Sequence, residues 1–435
     1  MTTIEAAEAP KAASRYSYFV VWFLAIVYTM NFLDRQIVSI LGKQISTELH
    51  LTKTQFGYLG GTFFAVTYTT FGIGVAYLAD RVKRTWVIAF ACALWSVFTA
   101  LCGTATSFIQ ILLYRMGVGL GEAGGSPPSY SLISDYFPAE KRGTALAIYS
   151  LGVPLGSMIG AFAGGKIAVA YGWRTAFFVV GAPGLLLAVL LLVLVREPKR
   201  GGLDAVADGA ADHPPPPPLL EAISGFFANR TLVLTAISSG LSAFVGYAGL
   251  VWNPQFLENV KQMSESDVAT WYALVLGVTG VIGTFGSGWF VDRMAKRDRR
   301  WFAWLPALAF TLSIPFWIGI IWAPTWQLAM LFLAGPLFLN NMYLSPALTV
   351  AQNAVPPARR TITGAILLFV LNLVGLGAGP VYVGWVADKM APAHGDNALA
   401  YGYAAVIPFI LLTVGAHIAA SISIGRDKRL AAALG

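Results

Sequence analysis

The sequence predicts an all-α membrane protein, with twelve transmembrane helices arranged as two pseudo-symmetric six-helix halves. Three observations carry that expectation. The 435 residues are 57% hydrophobic and only 11% charged, where soluble domains carry roughly 25% charged residues, and mean hydropathy is +0.66. Apolar runs long enough to cross a bilayer recur in two sets of six, separated by a polar, proline-rich stretch. Basic residues gather on one side of the resulting weave. Lipid has to cover this much apolar surface.

Residues 1–15 are small, polar and mildly charged, without the basic, apolar and cleavage regions of a signal peptide, and read as a cytoplasmic tail. The N-terminal bundle is expected over 16–195, with runs beginning near Ser17, Phe56, Thr85, Phe108, Thr144 and Trp173. Residues 196–230 read as a cytoplasmic linker: Gly201 to His213 is polar and flexible, and Pro214 to Pro218 is extended. The C-terminal bundle is expected over 231–424, with runs beginning near Leu232, Val268, Trp301, Trp326, Ile362 and Ala400. A cytoplasmic tail over 425–435 ends the chain. The 45 Gly and 13 Trp suit membrane helices, where Gly permits close packing and Trp sits at interfaces.

Charge placement sets the orientation. With a cytoplasmic N-terminus, six basic residues fall outside (Lys43, Lys53, Lys166, Arg174, Lys261, Lys389), Arg35 and Arg115 fall within spans, and the other 21 of 29 are cytoplasmic. The positive-inside rule then places both termini in the cytoplasm, most simply of a bacterial inner membrane. It also explains the net charge of +8 without a nucleic-acid partner. Cys92 and Cys102 fall on one helix about 15 Å apart, too far for a disulfide.

The halves repeat. Leu78-Ala79-Asp80-Arg81-Val82-Lys83-Arg84 after the second span matches Phe290-Val291-Asp292-Arg293-Met294-Ala295-Lys296-Arg297 after the eighth. Pro138-Ala139-Glu140-Lys141-Arg142-Gly143 echoes Pro356-Pro357-Ala358-Arg359-Arg360 in the same way. With Arg115-x-x-x-Gly119, these loops resemble the major facilitator superfamily, a fold with its substrate site near midplane between the halves. Asn31-x-x-Asp34-Arg35, Gly119-x-Gly121-Glu122-Ala123, Tyr171-Gly172-Trp173-Arg174 and Asn372-Leu373-Val374-Gly375-x-Gly377-x-Gly379-Pro380 resemble its Spinster-like members, which are related to the anion:cation symporters. The resemblance runs end to end. It implies that Asp80, Arg81, Arg84, Arg142, Asp292, Arg293, Arg297 and Arg360 latch the cytoplasmic side when the protein opens outward. The first loop departs from the family pattern at Ala76 and Lys83, where glycines are expected, and should be the looser of the two.

Asp34, Arg35, Arg115 and Glu122 lie inside apolar runs. Charges there cost several kcal/mol unless they face protein or trapped water, and they mark function by default. A static clip is the alternative, but buried pairs rarely add net stability. These four are the candidate proton-coupling residues. Arg115 and Glu122 share a helical face, seven residues apart, among Gly117, Gly119, Gly121, Gly124 and Gly125. The second half lacks charges of comparable depth and offers Tyr247, Trp252, Asn253, Asn340, Asn341, Phe369 and Asn372. With Asn31 and Arg35, all of these except Asn253 are the candidate substrate-binding residues. A cavity charged on one wall and aromatic or amidic on the other suits an amphipathic anion, in line with the lysolipid or sphingoid substrates that the resemblance implies.

The expected function is secondary transport by alternating access, coupled to protons, with no other cofactor or metal and a monomer as the working unit. A proton-coupled symporter of small organic anions such as sugar acids is the alternative. The four His are scattered, so no catalytic or metal cluster is visible, and the chain holds no Walker-type loop. An enzyme is not expected. The small residues Gly152, Gly156, Gly160 and Gly164 recur at every fourth position of the fifth span and predict a close helix partner.

Overall fold

The computed structural model describes residues 14–79, 81–199, 219–356 and 359–430. Asp80, the N-terminal tail to residue 13, the linker over 200–218 with its proline run, and residues 431–435 lie outside the described residues.

Nine helical stretches among the described residues are long and apolar enough to cross a bilayer. Two of them, Lys141–Leu194 with 54 residues and Ile362–Arg426 with 65, exceed one crossing at 1.5 Å per residue. Each holds two spans. The first pair turns at Gly172, whose φ of 83° suits a residue without Cβ. The second pair turns at Gly395, with φ 52°. The fourth span is in two pieces, Phe108–Glu122 and Ser126–Tyr136, so neither reaches crossing length alone. Pro127 and Pro128 begin the second piece, where a missing N–H costs nothing. Twelve spans result, as the sequence predicts.

The first span, Arg15–Ile40, packs on the fifth along the glycine face. A Cβ at Gly152, Gly156 or Gly160 would run into the first span's backbone at Ala25, Thr29 and Leu33. That close approach is what the four-residue glycine spacing provides. The third span, Arg84–Cys102, meets the sixth through Gly181 and Gly184, which lie against Ala100 and Ser96. Cys92 and Cys102 are free and buried. In the C-terminal half, Asn229 caps the seventh span, Arg230–Asn259, which packs on the eleventh and twelfth. A short helix, Leu219–Ala228, buries Ala222 and Phe226 against this half.

Four spans contain a π-helical turn: Tyr58–Thr62 in the second, Gly160–Gly164 in the fifth, Val268–Tyr272 in the eighth and Asn372–Leu376 in the eleventh. The second and eighth spans are equivalent in the repeat, as are the fifth and eleventh. The duplication therefore extends to backbone irregularities that no sequence motif marks.

The halves are tied together on the face opposite the linker, here called the far face. Asp388, near the end of the eleventh span, accepts from the Lys53 and Thr54 amides at 2.9 and 2.8 Å and from the Thr54 hydroxyl at 2.6 Å. These amides open the second span, so the carboxylate satisfies orphan donors and complements the helix dipole. Lys166 of the fifth span donates to the Ser266 carbonyl and hydroxyl at the start of the eighth, at 3.0 and 2.7 Å. Gln44 donates to Glu265 at 2.7 Å. The Ser39 hydroxyl reaches the Leu250 and Val251 carbonyls of the seventh span.

Candidate functional site

A cavity of about 640 Å³ lies between the halves, within the usual size of a small-molecule site. It begins under the far-face ties at Ser39 and Asn253. From there it runs along the tenth span to Thr349 and Gln352, beside the loop that leads into the eleventh. The cavity is therefore capped on the far face and extends toward the linker face.

The N-terminal half supplies its charge. Arg35 lines the cavity with its side chain 17% exposed, and its Nε donates to Glu122 Oε2 at 2.5 Å. Glu122 is fully buried, at the end of the first piece of the broken fourth span. The Arg35 guanidinium lies 4.7–5.0 Å from the ring centres of Phe32, Phe64 and Tyr68. Aromatic faces attract a guanidinium, so the ion pair sits in a cage with one side open to the cavity. Arg115 also lines the cavity, lies 5.2 Å from Phe64, and donates to the Asp34 backbone carbonyl at 3.3 Å. The Asp34 carboxylate turns the other way and accepts from Thr99 of the third span at 3.1 Å.

The four intramembrane charges thus form one cluster with unequal partners. Arg35 is matched to Glu122, while Asp34 meets a hydroxyl and Arg115 a carbonyl. Asp34 Oδ1, Glu122 Oε1, Arg115 Nε and Asn31 Oδ1 are buried without a hydrogen-bond partner. Four such atoms together leave spare donor and acceptor capacity in the cluster, the condition for exchanging partners.

The opposite wall is neutral. Tyr247, Asn340 and Asn341 line the cavity as the sequence suggests, joined by Asn253, Trp317 and Tyr343. Asn340 Oδ1 is buried and unpartnered, whereas the Asn341 amide donates to the Leu337 carbonyl at 2.7 Å. Asn31, Trp252, Phe369 and Asn372 do not reach the cavity. Trp252 is fully buried; its indole donates to the Pro380 carbonyl at 2.8 Å and its ring meets Phe56 across the half interface. Asn372 donates to Leu368 in its own helix. Tyr28, Tyr130, Tyr343 and Trp317 of the lining were not singled out by the sequence, because a lone aromatic in an apolar run is usually core.

Among the loop residues expected to gate, Asp80 lies outside the described residues. Arg84 is buried. It donates to Glu197 at 2.8 Å, to Ser131 at 2.8 Å and to Asp135 at 2.5 Å, which ties the third, fourth and sixth spans within one half. Burial raises the Glu197 carboxyl, but the Thr85 amide and Arg84 outweigh it and hold the group below the usual carboxylate range. Arg142 donates to the Ser134 and Phe137 carbonyls. Asp292, Arg293, Arg297 and Arg360 are exposed, and Arg293 lies over Trp289. Arg81 lies over Tyr77. Arg359, next to Arg360, makes the ion pair of its loop, to Glu221 at 2.7 Å.

The sequence pattern of the Major Facilitator Superfamily matches residues 24–380. The chain belongs to this superfamily. An MFS-type efflux pump of Mycolicibacterium smegmatis is 32% identical over 91% of this chain and 90% of its own length. A hexuronate transporter of Bacillus subtilis is 25% identical, covering 91% of this chain and 95% of that protein. A crystal structure of a bacterial homolog to the human lysosomal transporter Spinster, inward-facing and unoccupied, superimposes with a TM-score of 0.82 at 29% identity, covering 96% of this chain and 99% of that one. The likeness to Spinster expected from the motifs is found in fold and sequence, and the likeness to a sugar-acid transporter in sequence. This superfamily member is an integral membrane transporter and not an enzyme.

Proposed function

We propose that the chain is a proton-coupled secondary transporter working by alternating access, and that its substrate is an amphipathic anion of lysolipid or sphingoid type. One observation carries this reading. The Arg35 guanidinium stands at one wall of a cavity whose other walls are uncharged and largely apolar, among them Leu276, Phe310, Leu333 and Leu337. A single anionic head with an apolar tail matches that distribution.

In the mechanism we infer, the linker face is cytoplasmic and the protein stands open to it, in a bacterial inner membrane. An entering anion competes with Glu122 for Arg35. Glu122 loses its counter-charge in a dry seam and takes up a proton, and when the anion leaves, Arg35 returns and the proton departs. Asp34 serves as a second titrating acid, and Arg115 holds the turn of the first span that carries it. Occupancies of substrate and proton are then linked in both directions, as coupling requires. In the outward-open state Asp80 and Asp292, with the basic residues around them, latch the linker face. No cofactor beyond the proton is needed, and one chain suffices.

The sugar-acid alternative keeps one observation in its favour. Arg35 and Arg115 face Asn340 and Asn341 across the cavity, a guanidinium and amide set that could grip a carboxylate and its hydroxyls; the Bacillus subtilis relative is a hexuronate transporter. Binding by the purified protein of a lysophospholipid, a sphingoid phosphate and glucuronate separates the two. In proteoliposomes with an imposed pH gradient, Glu122→Gln should keep substrate binding and lose gradient-driven accumulation. Accumulation at the native rate would move the proton path away from Glu122.

A further inference from the structure

We propose that Glu258 is a second proton-binding site, built into the far-face closure: the halves close there around the protonated acid, and opening releases the proton. The inference rests on alternating access but not on Glu122 as proton carrier.

Glu258 ends the seventh span on the far face and is 3% exposed. Its Oε2 is buried without a hydrogen-bond partner, as is the amide nitrogen of Gln255 one turn earlier. Gln255 reaches across the half interface to Gly42, so close that a Cβ at that position would collide with its amide. This patch is thus sealed by the closure itself. The cations around it have other partners. Lys43 lies 3.9 Å from Glu265, which also accepts from Gln44. Lys261 donates to the Ile321 and Ala323 carbonyls at 2.8 and 2.7 Å. Arg174 is paired with Glu48, which also accepts from Trp173. The first-turn amides at Lys53 and Thr54 serve Asp388. Asp267 is held by Ser264, and the Tyr403 and Tyr272 hydroxyls donate to Asn253 and the Leu250 carbonyl.

An ionised Glu258 would therefore oppose the Glu265 carboxylate, with Lys43 shared between the two acids and its own Oε2 buried without a donor. A neutral acid removes that conflict and can donate a hydrogen bond where a carboxylate cannot. When the first span's end and Gly42 draw away from the seventh span, water reaches the group and the carboxylate becomes tolerable. Closure and protonation then favour one another reciprocally.

Spin labels at Thr104→Cys and Asp396→Cys, both exposed on the far face and in different halves, report the closure in lipid nanodiscs. The native cysteines are buried and escape labelling. In an Asp34→Asn/Glu122→Gln background, raising the pH from about 5 to about 9 should still widen the distance, by up to about tenfold in the open-to-closed ratio per pH unit. Adding Glu258→Gln should abolish the widening. Widening that persists with Glu258→Gln, or a background that never widens, overturns the proposal. If the background variant does not fold, Glu258→Gln alone must raise the closed fraction at about pH 9; unchanged distributions there also overturn it. Loss or survival of gradient-driven uptake in Glu122→Gln tests the other reading separately.

Discussion

The two faces of the molecule use the same kinds of residue for opposite ends. On the far face, Asp388, Glu265 and Lys166 bind groups of the other half. On the linker face, Arg84 joins Asp135 and Glu197, Arg359 joins Glu221, and Arg299 donates to the Ile424 and Gly425 carbonyls, every pair within one half or its flanking helix. Among the described residues, charged ties between the halves thus lie on the far face, beside within-half pairs such as Arg174–Glu48, while the linker-face pairs named above brace a half internally. A transporter that rocks as two rigid bodies needs both: internal braces that survive the motion and cross-ties that do not.

That division can be broken from either side. Arg84→Ala should have the largest effect, about 3 kcal/mol of lost stability, because two partly buried carboxylates lose their shared cation. Thermal unfolding of the purified protein should fall sharply while far-face label distances stay as they were. Asp388→Ala should do the reverse. Its unfolding temperature should change little, but the far-face closure should weaken by about 1–2 kcal/mol, from a lost helix cap and charge–dipole attraction. Spin-label distances should then show roughly a tenfold rise in the far-face-open fraction. An Asp388→Ala protein that melts early with unchanged distances would show that the cross-ties also brace.

The smallest expected effect concerns pH. The Glu197 carboxyl is held below its unfolded value, so its contribution is fully present above the ordinary carboxylate range and is lost as pH falls through the lowered folded value. Acid unfolding curves of the native protein and of Glu197→Gln should differ in that low window, with the variant showing the shallower loss. Curves that stay parallel down to acid would remove Glu197 from the brace.

The sequence carried the fold because hydropathy counts spans directly, and it located the charge cluster because Asp34, Arg35, Arg115 and Glu122 are anomalies in apolar runs. It could not say who pairs with whom. Arg115 bonds a backbone carbonyl, and side-chain chemistry alone gives no hint of that. Trp252 looked like a cavity aromatic, yet its N–H is taken by Pro380 and its ring belongs to the interface. Tyr28 and Tyr343 do line the cavity, and nothing in the one-dimensional pattern distinguishes them from Trp252. Asp388 was equally hidden: an acid near a span end reads as a solvated charge until the second span's first amides are brought beneath it.

The four π-helical turns give these spans something a regular helix lacks, a surplus residue that is not tied to one place. A wide turn can migrate along a helix by exchanging one hydrogen bond at a time, and the residues it passes rotate about the axis by about 100°. The second, fifth, eighth and eleventh spans can therefore re-aim side chains by creeping rather than by swinging. Gly60, on the wide turn of the second span, already lines the cavity. There, one step of the bulge would change which side chains face the cavity without moving either half.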